Sequence, residues 1–314
     1  MYIYGLDIND PTKSFLLTNS PKSFTLATAV TPSPAPAADF NTRCSAPGVV
    51  KCVGFDAVSD IAGKWGNRSG IFSGVTTPAL DVSVKASGGS SLKFTIPPFS
   101  GADTSGSYFT NFSDDLSAQF SEGQEFYVQW RQRFSPEFLT THFNNANGWK
   151  QAIVGQGDSP ACSASNPSST NCPTSCTELE IVTTNSTDRN LPQMYHSCGR
   201  YQGLEYWDNQ LGNVTVQNAV GCLYPGFASP PCVKYKADQW MTFQEHIKIG
   251  QWGQPNSTVQ LWVAEEGQPA QLVIDFRPEN GHPQTLYNGN PATAKYGKIW
   301  LLPYNTNKDA SQNH

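Results

Sequence analysis

The chain has 314 residues, of which 38% are apolar and only 14% are charged, and its formal net charge is −5. No cluster of basic residues is present, which argues against a nucleic-acid partner, and no apolar run reaches the ~18 residues of a membrane span. With 26 glycines and 23 prolines, the composition indicates many short strands joined by turns, in one large all-β domain or two small ones.

The first 38 residues are predicted to form an N-terminal extension. Residues 31–38 read TPSPAPAA, which is a proline- and alanine-rich linker of polyproline character. Residues 1–30 lack the basic start and the long apolar run of a signal peptide. Because the linker ends at residue 38, a single domain is expected over residues 39–314.

Two early strands are predicted at residues 49–57 and 90–96, separated by a glycine-rich stretch. Residues 109–120 are predicted to be a loop or a short helix. Asp56 ends the first of these strands. Together with loop carbonyls near Ser90, its carboxylate is a candidate site for a structural calcium ion, and a capping or turn role is the alternative.

Residues 125–134 (EFYVQWRQRF) alternate between two faces, as a strand with one buried face does. One face is apolar and includes Phe126 and Trp130. The other face carries an aromatic ring, an amide and two guanidinium groups, on Tyr127, Gln129, Arg131 and Arg133. Such a face suits a chain of sugars that bear carboxylates. The alternative is a solvated surface with two arginines.

Three further strands are predicted at residues 149–154, 178–184 and 193–198. Two long loops are predicted at residues 155–176 and 199–238. In the predicted strand at residues 178–184, Glu178 and Glu180 share the polar face. In the run QMYHS, Tyr195 and His196 are adjacent and therefore point to opposite faces. If Gln193 lies on the open face, Tyr195 lies there as well.

Eight cysteines, an even number in loop-like contexts, indicate disulfides and an oxidising compartment, so we expect a secreted or periplasmic protein. We expect local pairs, Cys44 with Cys52 and Cys222 with Cys232, and pairing of the other four among themselves. Zinc binding is the rival interpretation, but the sequence contains no CxxC pair.

The C-terminal part begins with a predicted hairpin, and its strands are expected at residues 239–249, 259–263, 272–276 and 298–302. Glu245 interrupts the apolar face of the first of these strands. This interruption indicates a bulge, a rim position or a paired buried acid. The sequence shows no internal repeat and no amphipathic helix.

The runs DQWMTFQEHIKIG and STVQLWVAEEGQPAQLVID resemble the hallmark of concanavalin A-like β-sandwiches, as do GFDAVSD and GGSSLKF. The resemblance covers roughly residues 49–303. It implies an all-β jelly-roll sandwich of two antiparallel sheets, here with long disulfide-tied loops. This fold hosts lectins, hydrolases and lyases alike.

A narrower resemblance is to polysaccharide lyases built on this sandwich, such as alginate and glucuronan lyases. Their Arg-rich strand, their Gln-x-His strand and their Y-F-K-A-G-x-Y-N-Q strand are similar, in order, to WRQRF, KQAI and YGKIWLLPYN. Ile153 stands where the motif has its His. The last motif also has two extra residues between Lys298 and the Tyr304-Asn305 pair.

β-Elimination from a uronic acid needs groups that neutralise the carboxylate, a base for the C5 proton and an acid for the leaving oxygen. We expect Arg131 and Gln151 to neutralise the carboxylate, and Tyr195, Tyr304 or His196 to transfer protons. The remaining substrate contacts are expected from Tyr127, Gln129, Arg133, Lys150 and Lys298. These features favour a monomeric polysaccharide lyase that acts on an acidic glycan in a groove on one sheet, with no required cofactor and no membrane partner.

Two other functions stay open. Glu178 and Glu180, ~6.5–7 Å apart along a strand, are a candidate carboxylate pair for a glycoside hydrolase. Alternatively, Trp262, Trp240 and Tyr127 are stacking platforms of a non-catalytic, lectin-like carbohydrate-binding module.

Overall fold

The computed structural model of the protein describes residues 2–6, 36–63, 69–101, 105–146, 148–157, 179–186, 190–197, 232–286, 295–301 and 305–314. Within these ranges the chain consists mainly of short strands. No helix in this part of the chain is long and apolar enough to cross a membrane.

The described α-helices are short: α1 (Pro36–Cys44), α2 (Val58–Ile61) and α3 (Pro136–Thr140). The described strands are, in chain order, β1 (Tyr2–Leu6), β2 (Val49–Cys52), β3 (Gly70–Phe72), β4 (Ala79–Asp81), β5 (Ser91–Lys93), β6 (Ser107–Asn111), β7 (Glu125–Arg133), β8 (Gly148–Gln156), β9 (Glu180–Ser186), β10 (Gln193–Ser197), β11 (Trp240–Lys248), β12 (Pro255–Glu265), β13 (Gln271–Phe276), β14 (Gln284–Thr285) and β15 (Tyr296–Leu301).

Two antiparallel sheets account for most of the described strands. The seven-stranded sheet has the order β13-β12-β11-β7-β1-β2, with β14 also paired to β12. The six-stranded sheet has the order β10-β9-β8-β15-β6-β3, and β4 and β5 form a separate hairpin. The apolar inner faces of the two sheets pack on each other, so the protein is an all-β sandwich of antiparallel sheets, as the sequence predicts.

Strand β7 lies between β11 and β1 in the seven-stranded sheet. The alternation of its side chains leaves one wholly apolar face, which is buried in the core. Phe126, Val128 and Trp130 are at most 2% exposed. Trp130 stacks on Phe243 of β11, with 5.6 Å between the ring centres. Burying a side chain of this size contributes ~1.5–3 kcal/mol, so these residues fix the face of β7 that enters the core.

Aromatic contacts join the inner faces of the two sheets. The ring centres of Phe126 and Tyr296 of β15 are 5.7 Å apart, and those of Phe134 and Trp149 of β8 are 5.5 Å apart. Tyr235 packs next to Trp149 at 5.0 Å between ring centres. The core of the sandwich therefore lies between β7 and β11 on one side and β8 and β15 on the other.

Five of the described strands were not predicted from the sequence, namely β1, β3, β4, β6 and β14. Two of these, β1 and β6, lie between other strands within a sheet. Residues 2–6, assigned to the N-terminal extension, form β1, which pairs with β7 on one side and β2 on the other. Residues 107–111 form β6, although 109–120 was predicted to be a loop or a short helix. Both strands form because neighbouring strands satisfy their backbone hydrogen bonds, which local propensity does not report.

One disulfide lies within the described residues, between Cys44 and Cys52, with their Cα atoms 5.8 Å apart. It confirms the predicted local pair and ties the end of α1 to the end of β2. Cys232 is also disulfide-bonded. Its predicted partner Cys222 lies outside the described residues, as do the other four cysteines.

Asp56, the candidate calcium ligand, serves as an acceptor for backbone amides. Its Oδ1 accepts hydrogen bonds from the N–H groups of Gly89 (2.5 Å) and Ser90 (3.2 Å). Calcium is bound by oxygen atoms, whereas this carboxylate faces N–H donors, so the turn role fits the geometry. No group of three or more His, Cys, Asp or Glu within the described ranges could hold a metal ion.

Gly88 is adapted to this turn, and its replacement is expected to destabilise the fold. It has a φ of +77°, and a Cβ there would overlap with the carboxylate of Asp56. Gly267 has a similar φ of +73°, but nothing lies within 4 Å of a Cβ at that position. The left-handed conformation alone costs about 1–2 kcal/mol, so Gly267→Ala serves as the matched control.

We expect Gly88→Ala to lower the free energy of unfolding by about 1–3 kcal/mol more than Gly267→Ala does, because it also breaks charge-assisted hydrogen bonds. Denaturant unfolding of both variants measures this difference. An equal loss in the two variants would contradict the role of the Asp56 carboxylate in this turn.

Candidate functional site

The predicted site residues lie on opposite sides of the sandwich. Strand β7 belongs to the seven-stranded sheet, whereas β8, β9, β10 and β15 are neighbours in the six-stranded sheet. The strands that carry Lys150, Tyr195 and Lys298 therefore do not lie beside β7. This corrects the expectation that Arg131 shares one sheet face with these residues.

Two rows of side chains cross the outer face of the six-stranded sheet. In the polar row, Lys298 of β15 is opposite Gly155 of β8, and Gly155 is opposite Glu180 of β9. The apolar row lies two residues further along the strands and consists of Phe109, Trp300, Ile153, Val182 and Tyr195.

Lys298 is a buried cation, with 1% of its surface exposed. Its Nζ lies 5.5 Å from the ring centre of Phe109 and 5.6 Å from that of Trp300. The faces of aromatic rings attract an ammonium group. The ammonium group of Lys298 thus contacts two rings of the apolar row and is shielded from solvent.

Glu180 is only 2% exposed, so its carboxylate is not presented at an open surface. It occupies the same row as Lys298. The backbones of the two residues are about 10 Å apart, which is two interstrand spacings, and Gly155 lies between them. The other half of the predicted hydrolase pair, Glu178, lies outside the described residues. The described chain therefore does not place two carboxylates together on this face.

The accessible end of the face is marked by Lys150 and Tyr195, both of which are partly exposed. The Lys150 Nζ lies 6.0 Å from the ring centre of Tyr195. Tyr195 is opposite Val182 and shares its face with Gln193. A cation and a phenol thus meet at the edge of the buried apolar row.

A bulge in β8 directs Lys150 to this face. The pairing with β9 places Lys150 opposite Thr184 and Ala152 opposite Thr183, so Gln151 is an extra residue in β8. An extra residue reverses the alternation of a strand. Lys150 therefore points outwards on the N-terminal side of the bulge, although Ala152 points inwards beyond it.

Gln151, the proposed partner of Arg131 in carboxylate binding, faces the interior. It is 1% exposed, and its Oε1 accepts a hydrogen bond from the hydroxyl of Tyr235 at 3.0 Å. Its amide is thus part of the core rather than of the outer face that carries Lys150.

His196, the suggested base, also points inwards. It is opposite Ile181, a core residue, and is 5% exposed. Burial lowers the pKa of His196 to about 3, so the ring is neutral. Since it faces the core, it does not reach the outer face. Tyr304, the other suggested proton-transfer group, lies outside the described residues.

The outer face of the seven-stranded sheet retains the predicted polar stripe of β7. Tyr127, Gln129, Arg131 and Arg133 are all partly exposed. Trp262 of β12 is on the same face, because β11 connects it in register to Gln129. This stripe is therefore a surface of its own, on the side away from Lys150 and Tyr195.

A row of polar contacts crosses this stripe at His246. The His246 ring stacks on Tyr127 at 4.2 Å. Its Nε2 lies 3.1 Å from Oε1 of Glu125, and its Nδ1 lies 2.7 Å from Oε1 of Gln260. The Gln260 amide donates to Asp275 at 2.6 Å, which turns its oxygen towards His246. Both ring nitrogens thus lie close to side-chain oxygens of the neighbouring strands.

His246 was not among the residues expected from the sequence, although Gln244-Glu245-His246 has the Gln-x-His spacing. Burial opposes the ionisation of Glu125, but the hydrogen bond and the charge of His246 outweigh it and lower the pKa of that carboxyl. His246 is only 8% exposed and lies between Glu125 and Gln260, so its ring is packed into this sheet face rather than presented at its surface.

Glu245 is a paired buried acid, one of the three possibilities that the sequence allows. It is 0% exposed, and its Oε1 accepts a hydrogen bond from the hydroxyl of Thr183 of β9 at 2.5 Å. Burial raises the pKa of Glu245 to about 8, although the hydrogen bond from Thr183 acts in the opposite direction. This pair joins the inner faces of the two sheets.

No protein-family model matches the chain, and no curated protein is similar to it in sequence. The chain is similar to the solved structure of the marine PL-14 alginate lyase from Aplysia kurodai, with 12% identity, a TM-score of 0.46 and coverage of 79% of this chain and 82% of that one. It is also similar to the endo-β-1,4-glucuronan lyase from the fungus Trichoderma reesei, with 13% identity, a TM-score of 0.39 and coverage of 77% and 81%. A third similar structure is an alginate lyase from Chlorella virus, with 10% identity, a TM-score of 0.39 and coverage of 78% and 88%.

Glu245 should make the free energy of unfolding fall as the pH rises from about 4.5 to about 8. Between pH 4.5, its ordinary pKa, and about 8, the folded state holds a proton that the unfolded state releases. The free energy of unfolding therefore decreases by up to about 1.4 kcal/mol per pH unit. His196 acts in the opposite direction, but only below its ordinary pKa of 6.5.

We expect Glu245→Gln to remove this slope between pH 6.5 and 8, and the exposed Glu279→Gln to leave it unchanged. Denaturant unfolding at several pH values in this window measures the slope. A slope in Glu245→Gln equal to that of the unmodified protein would show that the carboxyl does not titrate in this range.

Proposed function

We propose that the protein is a polysaccharide lyase that cleaves a uronate-containing glycan by β-elimination at Lys150 and Tyr195. The observation that carries this proposal is the placement of the Lys150 ammonium 6.0 Å from the Tyr195 ring, at the accessible end of one sheet face. Tyr195 keeps the proton-transfer role that the sequence suggested for it, and Lys150, expected as a substrate contact, takes the role expected of Arg131 and Gln151.

Lys150 is suited to bind the carboxylate of the sugar to be cleaved. Its positive charge withdraws electron density from the carboxylate and stabilises the carbanion that forms when the C5 proton leaves. This is the neutralising role that the sequence analysis assigned to Arg131 and Gln151.

Tyr195 is suited to move protons between the two reacting atoms. Its phenolic oxygen, as the phenolate, takes the proton from C5, and the electrons of that bond form the C4–C5 double bond. The bond from C4 to the glycosidic oxygen breaks, and this oxygen receives the proton from Tyr195. The products are a chain with an unsaturated uronate at its end and a chain with a new reducing end.

The buried rows beside these residues support this chemistry. Lys298, Trp300 and Val182 are at most 8% exposed, so the sheet next to Tyr195 is a rigid and largely dry surface. Electrostatic interactions are stronger in such surroundings than in water.

We propose that the substrate is an acidic polysaccharide outside the cell. The Cys44–Cys52 disulfide is consistent with an oxidising compartment. The formal net charge of −5 belongs to the whole chain, so the local charge of Lys150, rather than overall attraction, would bring the substrate to the site.

The test is the ultraviolet absorbance of the unsaturated uronate during incubation with alginate, glucuronan and pectate. We expect one of these to be cleaved, and we expect Tyr195→Phe and Lys150→Ala each to reduce kcat/KM by about 10²–10⁴-fold, the range of general acid–base catalysis. Lys248→Ala is the matched control, because Lys248 is exposed on the other sheet.

Thermal unfolding of each variant separates loss of activity from loss of structure. Full activity in Tyr195→Phe would sink the proposed proton transfer. New reducing ends without the absorbance would indicate hydrolysis, and binding without either product would indicate a non-catalytic carbohydrate-binding module.

A further inference from the structure

A cleft of about 960 Å³ opens beside the second half of β7. The last pair between β1 and β7 joins Tyr2 to Gln129. From Trp130 onwards, no described strand pairs with β7 on that side, and the cleft occupies the space. Gln129, Arg131, Arg133, Trp240 and Thr242 line it, together with residues of the β4–β5 hairpin.

The two arginines of this cleft are held in place by the sheet. They are two residues apart on one strand face, so their backbones are ~6.6–7 Å apart. The Arg131 and Arg133 side chains are only 33% and 30% exposed. The Arg131 guanidinium also lies over the ring of Trp240, 5.8 Å from its centre.

Each arginine already binds a carboxylate of the chain. Arg131 Nη2 lies 3.1 Å from Oε1 of Glu266, and Arg133 Nη2 lies 2.7 Å from Oδ1 of Asp238. These acids are 55% and 54% exposed. Exposed ion pairs contribute about 0–1 kcal/mol, so a carboxylate of a ligand can replace either acid at little cost.

We propose that this cleft is a second, non-catalytic binding site for an oligosaccharide that carries carboxylates. Arg131 and Arg133 bind carboxylates of the sugar chain through their planar guanidinium groups. Gln129 and Thr242 hydrogen-bond to its hydroxyls, and Trp240 offers an apolar ring surface. The two arginines lie on the outer face of the seven-stranded sheet, whereas Lys150 and Tyr195 lie on the outer face of the other sheet. The cleft also reaches the buried Gln151 of β8, but it includes neither Lys150 nor Tyr195, so the site does not depend on the reaction proposed there.

The experiment measures binding of a uronic-acid tetrasaccharide by calorimetry to full-length protein that carries Tyr195→Phe, so that the ligand is not consumed. The neutral, carboxyl-reduced tetrasaccharide tests whether the carboxylates are recognised. We compare three further changes in this background: Arg131→Gln with Arg133→Gln, Lys150→Ala, and the exposed Lys248→Gln on the same sheet as the arginines.

We expect the arginine variant to lose the cleft site, with affinity reduced by about 10- to 100-fold for the loss of charge-assisted hydrogen bonds. The Lys150→Ala variant should retain this site, and Lys248→Gln should bind as the parent does. The neutral tetrasaccharide should not bind in the cleft.

Unchanged binding in the arginine variant, or equal binding of the neutral sugar, would overturn the second site. So would loss of unsaturated product on the tetrasaccharide when the arginines are replaced in the otherwise unmodified protein, since they would then belong to the reaction site. If no substrate yields unsaturated product but arginine-dependent binding persists, the proposed reaction fails and the second site stands.

Discussion

The unbroken pairing of β7 with β11 is the constraint from which the arrangement of side chains follows. Nine consecutive residue pairs join these strands without a shift. An unshifted register preserves the alternation of both strands, so Trp130 and Phe243 enter the core, whereas Arg131 and His246 face outwards. The six-stranded sheet packs on the resulting apolar surface. Each of the two outer faces is therefore free to carry its own chemistry.

The same register carries Glu245 into the core, where its neighbours are aromatic and aliphatic. A charged carboxylate there would have to give up its hydration, and the rise in the pKa of Glu245 reflects this cost. The hydroxyl of Thr183 provides a hydrogen bond from the opposite sheet. The acid thus links the two layers through a polar contact, while the chemistry proposed for the outer faces uses other residues.

Local patterns in the sequence predicted most of the strands and the Cys44–Cys52 disulfide, because alternation and close spacing are visible in short windows. They did not predict β1 or β6, which depend on partners far away in the chain. They also did not show which strands are neighbours. The sequence therefore could not show that Arg131 and Tyr195 lie in different sheets. Alternation along β10 shows only that Tyr195 shares a face with Gln193 and that His196 faces the other way.

The bulge at Gln151 has a consequence for how related chains should be aligned with this one. The extra residue puts Lys150 and Ala152 on opposite faces, although strict alternation along the sequence would put them on one face, while the pairing with β9 continues on either side. A relative that lacks only the bulge residue would keep the same pairing, and its counterpart of Lys150 would still lie opposite Thr184 on the outer face. The position of a one-residue gap is therefore functional information in this fold, and identity counted across β8 without that gap would compare side chains that face opposite ways.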